Sequence, residues 1–86
     1  MRQSSSDVRV EVRVYPKEGV LDPQGKAIAD ALRKLGHPVA DVRAGKVFFL
    51  DVTSGDRAGV EREARAMAEE LLANTVIEGY DVTVKG

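Results

Sequence analysis

The first structured segment of the chain shows a strict alternation of apolar and polar residues. Valines occupy every second position from Val8 to Val14, and charged residues lie between them. Because successive side chains of a β-strand point to opposite faces, this pattern predicts a strand with one buried face. Pro16 ends the pattern, since proline has no N–H to give to a sheet. We expect the polar, serine-rich residues 1–7 to be a disordered tail, followed by a single domain over residues 8–86.

A helical spacing of apolar residues follows after Asp22. An aspartate accepts hydrogen bonds from the first unpaired N–H groups of a helix, and Pro23 fits the next position because its missing N–H is not needed there. Gly25 is unusual in a first turn, since glycine costs up to about 1 kcal/mol against alanine in a helix. Either Gly25 has no role of its own beside a plain Asp-Pro cap, or it marks a position where another group approaches the helix backbone closely. The apolar stripe of this helix consists of Ile28, Ala31, Leu32 and Leu35.

The segment over residues 39–52 fits two patterns. In the first, Ala44 and Gly45 form a two-residue hairpin turn between two strands. In the second, one long strand runs through the segment and is bent or bulged at Gly45. We favour the long strand, because it aligns more apolar residues on one face and leaves Lys46 as the misfit. That apolar face consists of Val42, Ala44, Phe48, Leu50 and Val52.

A second helix and a last strand complete the predicted elements. Asp56 is the expected cap of the helix, after a loop over residues 53–56. Gly36 is the expected left-handed cap of the first helix, and Asn74 of the second, because both residue types tolerate that conformation. Residues 80–84 alternate between apolar and polar types, which predicts a strand. The buried stripe of the second helix is predicted to be Val60, Ala64, Met67, Ala68, Leu71 and Leu72.

These elements predict an α+β fold in which two helices lie on one face of a small antiparallel sheet. The order is strand, helix, long central strand, helix, strand. If the long strand breaks at Gly45, the order becomes the βαββαβ order of ferredoxin-like folds. The long strand also carries Val47 and Phe49 on its second face, where a lone monomer would leave both in water. Because apolar residues on both faces are typical of a strand covered on both sides, we expect self-association through Val47 and Phe49.

Composition excludes several functional classes. The 86 residues contain no cysteine and one histidine, which excludes a disulfide framework, a thiolate metal site and a cysteine nucleophile. The net charge is −1 and aromatic residues make up 5% of the chain, so no nucleic-acid surface is indicated. The longest apolar run, residues 47–50, is too short to cross a bilayer, and no signal peptide precedes the first strand. We therefore expect a cytoplasmic protein with no metal site, no nucleic-acid partner and no membrane partner.

The residues also do not form a recognisable catalytic constellation. No phosphate-binding glycine motif is present, and a Ser-His-Asp triad would depend on His37, which lies in a predicted turn. Arg43 and Asn74 could take the roles of the arginine and asparagine of acylphosphatase-like enzymes, but no matching local motif accompanies them. Instead, polar residues gather at the boundaries of the predicted elements, as they do at the rim of a protein interface.

Three stretches occur in order at separations that together span nearly the whole chain after its first few residues. They are residues 14–17 with 20–25 (VYPK and VLDPQG), residues 41–46 (DVRAGK) and residues 71–78 (LLANTVIE). Together they resemble the PurS family, the small accessory subunits of phosphoribosylformylglycinamidine (FGAM) synthase. The resemblance implies that this chain holds no catalytic residue and contacts partners through residues of these motifs. The implied interface residues are Lys17, Asp22, Pro23, Gln24, Gly25, Asp41, Arg43, Gly45, Lys46, Asn74, Thr75 and Glu78.

The resemblance further implies a subunit of an enzyme complex, a carbon–nitrogen ligase of de novo purine biosynthesis. That complex uses glutamine, ATP and Mg to convert formylglycinamide ribonucleotide to its amidine. The small subunit is implied to bind no cofactor itself, to form a homodimer or higher homo-oligomer, and to bridge the PurQ glutaminase and PurL synthetase subunits so that ammonia passes between them. The residues alone leave two alternatives open: a free-standing ferredoxin-like module that binds a small molecule at a dimer interface, and a small stand-alone hydrolase.

Overall fold

A computed structural model describes residues 7–53 and 56–85 as a three-stranded antiparallel sheet with two helices. The strands are β1 (Val8–Pro16), β2 (Lys46–Val52) and β3 (Glu78–Val84), and the helices are α1 (Pro23–Lys34) and α2 (Arg57–Met67). The sheet order is β2-β1-β3, which puts β1 in the centre. These elements confirm the predicted small α+β fold. Residues 1–6 of the predicted tail and residues 54–55 of the predicted loop lie outside the described residues.

The inner face of the sheet carries the hydrophobic core. Val10, Val12 and Val14 of β1 are each at most 2% exposed. Val12 lies opposite Phe48 of β2 on one side and opposite Val82 of β3 on the other. Residues directly opposite each other in an antiparallel pair share a face, so this register gathers the apolar stripes of all three strands on one side. The alternation of the valines therefore predicted the buried face correctly.

The second helix packs on that inner face with small residues. Val60, Ala64 and Ala68 recur every four positions and are fully buried against the sheet. Alanine has little side chain to keep the backbones apart, so the helix can lie close to β1 and β3, the two strands on which α2 packs. Asp56 caps this helix as predicted, because its carboxylate accepts a hydrogen bond from the N–H of Gly59 at 2.8 Å.

The end of the second helix differs from the prediction. A π-helical turn, Ala68–Leu72, follows α2, and the N–H of Ala73 bonds to the carbonyl oxygen of Ala68 at 2.9 Å. The wider turn puts Ala73 below Ala68, so Ala73 is buried and Leu71 is 84% exposed. The prediction of a buried Leu71 is therefore wrong. So is the left-handed cap at Asn74, because the positive φ values in the described residues belong to Gly19 and Gly36.

Residues 39–45 form neither the long strand that we favoured nor the hairpin. The strand begins at Lys46, and β2 lies at the edge of the sheet rather than at its centre. The backbone groups ahead of it bond to α1 instead: the Ala44 N–H donates to the Asp22 carboxylate, and the Arg33 guanidinium donates to the carbonyl oxygens of residues 39 and 40. Groups occupied in this way are not free to form a β-ladder, which explains why the strand starts so late.

The first helix runs from its Asp22 cap to the Gly36 turn as predicted, but it does not join the core. The core cluster of the described residues contains no member of α1. Its buried residues, Gly25 and Ala29, lie one turn apart; Gly25 lies against the Val42 carbonyl group, and Ala29 lines a groove together with residues 40–43. Ile28 is 39% and Leu35 is 75% exposed. The expectation that both helices bury their apolar stripes against the sheet therefore holds for α2 alone.

Candidate partner-binding site

The three motif stretches meet at one end of the sheet. The end of β1 lies beside the start of both neighbours, with Pro16 opposite Glu78 and Val14 opposite Lys46. The α1 cap and the segment before β2 lie at the same end, because both connect directly to these strand ends. Residues far apart in sequence are therefore brought into one surface.

Asp22 joins the first motif to the second. One oxygen of its carboxylate accepts the N–H of Gly25 at 3.0 Å, and the other accepts the N–H of Ala44 at 2.7 Å. These two hydrogen bonds, together with the positive charge of Arg43, hold the pKa of Asp22 below its ordinary value of 3.8. Hydrogen bonds to the charged form of a carboxylate always act in this direction. Asp22 is thus both the cap of α1 and the anchor of the neighbouring segment.

Gly25 allows these two segments to come into contact. A Cβ atom at this position would lie 3.0 Å from the carbonyl carbon of Val42 and closer still to its oxygen. Real Cβ atoms do not approach a backbone so closely, so no other residue fits here without displacing the segment. Of the two sequence interpretations of Gly25, close approach is therefore the one that the structure supports, and the approaching group is the chain's own backbone.

Arg43 and Lys17 connect the second and third motifs to the end of β1. The Arg43 guanidinium donates to the carbonyl oxygens of Pro16 at 2.9 Å and Lys17 at 2.7 Å. The Lys17 ammonium donates to the carbonyl oxygen of Thr75 at 2.6 Å, while its N–H donates to that of Ile77 at 2.9 Å. Both cations therefore hold backbone in place.

Asn74 and Glu78 close the turn that leads into β3. The Glu78 carboxylate accepts the N–H of Asn74 at 2.8 Å, and the Asn74 carbonyl oxygen accepts the N–H of Glu78 at 2.8 Å. The Asn74 side chain accepts the N–H of Val76 at 3.2 Å. These reciprocal bonds fix the turn and explain why an asparagine and a glutamate occupy these positions.

A cavity of about 250 Å³ lies among the three motifs. Its walls mix charged, amide and aliphatic groups from all three stretches. The aliphatic rim residues Leu21 and Ile77 were missed by the sequence reasoning, which selected polar residues, although Leu21 is 74% exposed. Leu21 could have been found from the sequence, because it is an apolar residue directly before the Asp22 cap and outside the apolar stripe of the helix. The residues that line the cavity are Pro16, Val20, Leu21, Asp22, Gln24, Ala44, Gly45, Lys46, Ile77 and Glu78.

The structure places the remaining predicted residues differently. Pro23 is exposed in the first turn of α1, and Asp41 lines a second, open groove beside Lys26 and Arg33. Within residues 7–53 and 56–85, no group of three or more histidine, aspartate or glutamate side chains is arranged to hold a metal ion. The helices in this part of the chain are also too short or too polar to cross a membrane.

Val47 and Phe49 lie on the outer face of β2, as predicted. They are 41% and 71% exposed and lie opposite Arg13 and Glu11 of β1. Charged residues surround them on that face, with exposed ion pairs such as Arg13–Asp81 at 3.0 Å, and the face also carries Tyr15 and Thr83. Val47 and Phe49 therefore form an exposed apolar patch beside charged residues of the same face. Self-association through them stays a prediction.

Fold and site together define a small α+β protein whose motif residues gather on one polar surface beside an open cavity. Residues 9–86 match the family model described as PurS, phosphoribosylformylglycinamidine (FGAM) synthase. The chain belongs to the PurS family.

Individual relatives agree with this assignment. The PurS subunit from Mycobacterium leprae is 47% identical over 76 residues, which cover 87% of this chain and 92% of the relative. The crystal structure of Bacillus subtilis PurS has a TM-score of 0.82 at 44% identity and covers 92% of this chain and 99% of that one. A chain in the structure of PurLQS from Thermotoga maritima has a TM-score of 0.83 at 32% identity, covering 91% and 96%. These similarities do not favour the free-standing regulatory module.

Proposed function

We propose that this protein is a non-catalytic accessory subunit of FGAM synthase, acting in the glutamine- and ATP-dependent step that forms FGAM in de novo purine biosynthesis. The observation that carries the proposal is the convergence of the three family motifs on one surface of a PurS-family chain. Relatives are named as PurS subunits of this synthase, and one similar structure is of a PurLQS assembly. We propose that the protein acts in the cytoplasm.

The proposed partners are the PurQ glutaminase subunit and the PurL synthetase subunit. Glutamine would be used by the first, and ATP with Mg by the second, so this chain would need no cofactor of its own. Its role would be to bridge the two as a homodimer and to support the transfer of ammonia between their sites. Ammonia released into water protonates and diffuses away, so docked sites with water excluded between them are an advantage.

The character of the site supports a binding role. Three of its charged side chains, those of Asp22, Arg43 and Lys17, are engaged with backbone of the same chain. Such bonds make the surface rigid before a partner arrives, which lowers the entropic cost of association. Gln24 and Asp41 have exposed side chains and flank this rigid framework. We propose these two residues as contacts to a partner.

Reconstitution with the two large subunits tests this function. Amidine formation should depend on this chain when glutamine is the nitrogen source, and much less when ammonia is added directly. Gln24→Ala and Asp41→Ala should lower the glutamine-dependent rate on the order of 10-fold each, the effect of losing one good interface contact. Glu63→Ala, an exposed change on α2 away from the site, is the matched control. Equal loss of both activities, or full glutamine-dependent activity without this chain, would rule out the proposed role.

A further inference from the structure

Two residues of opposite charge flank Pro16 on the inner face of the sheet. Lys46 lies opposite Val14, and Glu78 lies opposite Pro16. Residues opposite each other share a face, and so do residues two apart along a strand, so Lys46 and Glu78 lie on the same face as the core residue Val14. Two strand spacings across the sheet and two residues along it separate their Cα atoms by about 12 Å. Both residues line the cavity of about 250 Å³ described above.

Lys46 supplies a cation that the surrounding residues leave unpaired. Within residues 7–53 and 56–85 its ammonium forms no ion pair, in contrast to the paired cations of the outer face such as Arg13. The ammonium lies 5.9 Å from the centre of the Phe48 ring, which agrees with its position on the inner face. A lysine ammonium has three donors and prefers a charged acceptor, so Lys46 is available to the carboxylate of a ligand.

Glu78 supplies an acceptor on the other side of Pro16. Two carboxylates line the cavity, and Asp22 has both oxygens bonded to the N–H groups of Gly25 and Ala44. Glu78 has one oxygen bonded to the N–H of Asn74, and its second oxygen accepts no hydrogen bond from the described part of the chain. Since each carboxylate oxygen can accept hydrogen bonds, Glu78 is available to a cationic group of a ligand.

Amide and aliphatic groups complete the lining of the cavity. Gln24 is exposed in the first turn of α1, and its carboxamide can both donate and accept hydrogen bonds. Leu21 and Ile77 add apolar walls. The volume is below the about 300 Å³ at which sites for drug-sized ligands begin, so the cavity suits a small metabolite.

We infer that this cavity binds a free α-amino acid, whose carboxylate contacts Lys46 and whose ammonium contacts Glu78. A ligand with only one charge would leave the other of these two groups unpaired, whereas an α-amino acid carries both charges on one carbon atom. The carboxamide of Gln24 favours a polar, uncharged side chain, and glutamine has a matching carboxamide. This inference goes beyond the proposed function, because it assigns a ligand to the isolated chain.

Titration of the isotope-labelled chain with L-glutamine, followed by its amide resonances in NMR spectra, tests the site. Saturable shifts are expected at Gly45, Ile77 and Glu78, which line the cavity. Two analogues test the two charges of the ligand: glutaramate lacks the α-ammonium, and γ-aminobutyramide lacks the α-carboxylate. Each should bind on the order of 10-fold more weakly than L-glutamine, because each leaves one charged group of the cavity unpaired.

Two variants remove the same contacts from the protein. Lys46→Gln should lower the affinity for L-glutamine on the order of 10-fold and leave that for γ-aminobutyramide unchanged, since this analogue has no carboxylate. Glu78→Gln should likewise weaken L-glutamine and leave glutaramate unchanged, and its side-chain oxygen can keep the bond from Asn74. Should Glu78→Gln nevertheless unfold, Lys46→Gln decides by itself. Lys34→Gln, an exposed change on α1 outside the cavity, is the matched control and should alter none of these affinities.

The absence of saturable L-glutamine binding, or shifts confined to residues outside the cavity, would overturn the inference. So would equal affinities for L-glutamine and both analogues, or an equal loss of affinity in Lys34→Gln and Lys46→Gln. The titration needs no large subunit, so its result is separate from that of reconstitution. A chain that supports glutamine-dependent amidine formation but binds no amino acid overturns this inference alone. A chain that binds L-glutamine but never assembles with the large subunits overturns the proposed function alone.

Discussion

Replacing Gly25 with alanine tests the argument that joins the first two motifs. In an ordinary helix this change stabilises by up to about 1 kcal/mol, because alanine has the higher helix propensity. Here the added Cβ would lie 2.6 Å from the Asp22 carboxylate and would overlap with the Val42 carbonyl group. Residues 42–44 would have to retreat, which would also stretch the bond from Ala44 to Asp22. The propensity gain is therefore opposed by a steric cost.

The size of the effect follows from these opposing terms. Forcing an extra carbon into a packed contact costs about 1–3 kcal/mol. After the gain in propensity, we expect Gly25→Ala to lower the free energy of unfolding by up to about 2 kcal/mol. Gly59 is the matched control, because it occupies the same position after Asp56 in α2. A Cβ there would meet the Asp56 carboxylate at 2.9 Å and the Arg62 guanidinium at 3.8 Å, both at the ends of flexible side chains.

Urea unfolding at one fixed protein concentration measures both variants, since self-association would otherwise alter the apparent stability. Gly59→Ala should be neutral or more stable by up to about 1 kcal/mol, so the two variants should differ by the steric cost of about 1–3 kcal/mol. For a domain of this size that difference is on the order of 10 °C in melting temperature. Equal stability of Gly25→Ala and Gly59→Ala would refute the close-approach argument.

Three further predictions address other parts of the molecule. Phe49→Glu should abolish self-association and glutamine-dependent amidine formation but spare the ammonia-dependent reaction, as measured by sedimentation and rate assays. Thr83→Glu, on the same outer face, should leave self-association and both reactions intact. Loss of both reactions in Phe49→Glu would contradict the bridging role. For Asp22→Asn the effect on stability should depend on pH. The folded pKa of Asp22 is lowered, so its contribution is present above pH 3.8 and is lost as the pH falls through the lowered value. The gap between wild type and variant should therefore shrink in acid, and a constant gap would be inconsistent with this reasoning. Leu71→Gln should change the free energy of unfolding by less than about 0.5 kcal/mol because Leu71 is exposed. Leu72→Gln, at a partly buried position, should lower it more, and equal urea midpoints of the two variants would contradict the π-turn geometry.

The sequence by itself determined the elements that depend on neighbours along the chain. The valine alternation of β1, the Asp22 and Asp56 caps and the Gly36 turn all follow from local backbone chemistry, and all are present in the structure. The motif residues of the candidate site were also found from the sequence. Their roles in contacting one another were not, because a hydrogen bond such as that from Ala44 to Asp22 joins residues far apart in the chain.

Tertiary structure alone decided where β2 begins, how the second helix ends and where the first helix packs. Each outcome depends on a competition between partners that sequence patterns do not compare. Backbone groups of residues 39, 40 and 44 bond to α1 and its Asp22 cap instead of extending the sheet. The wider turn at Ala68 buries Ala73 in the core and leaves Leu71 exposed. Apolar periodicity shows that a face needs cover. It does not show which surface supplies that cover, because burial against any apolar neighbour yields a similar free energy.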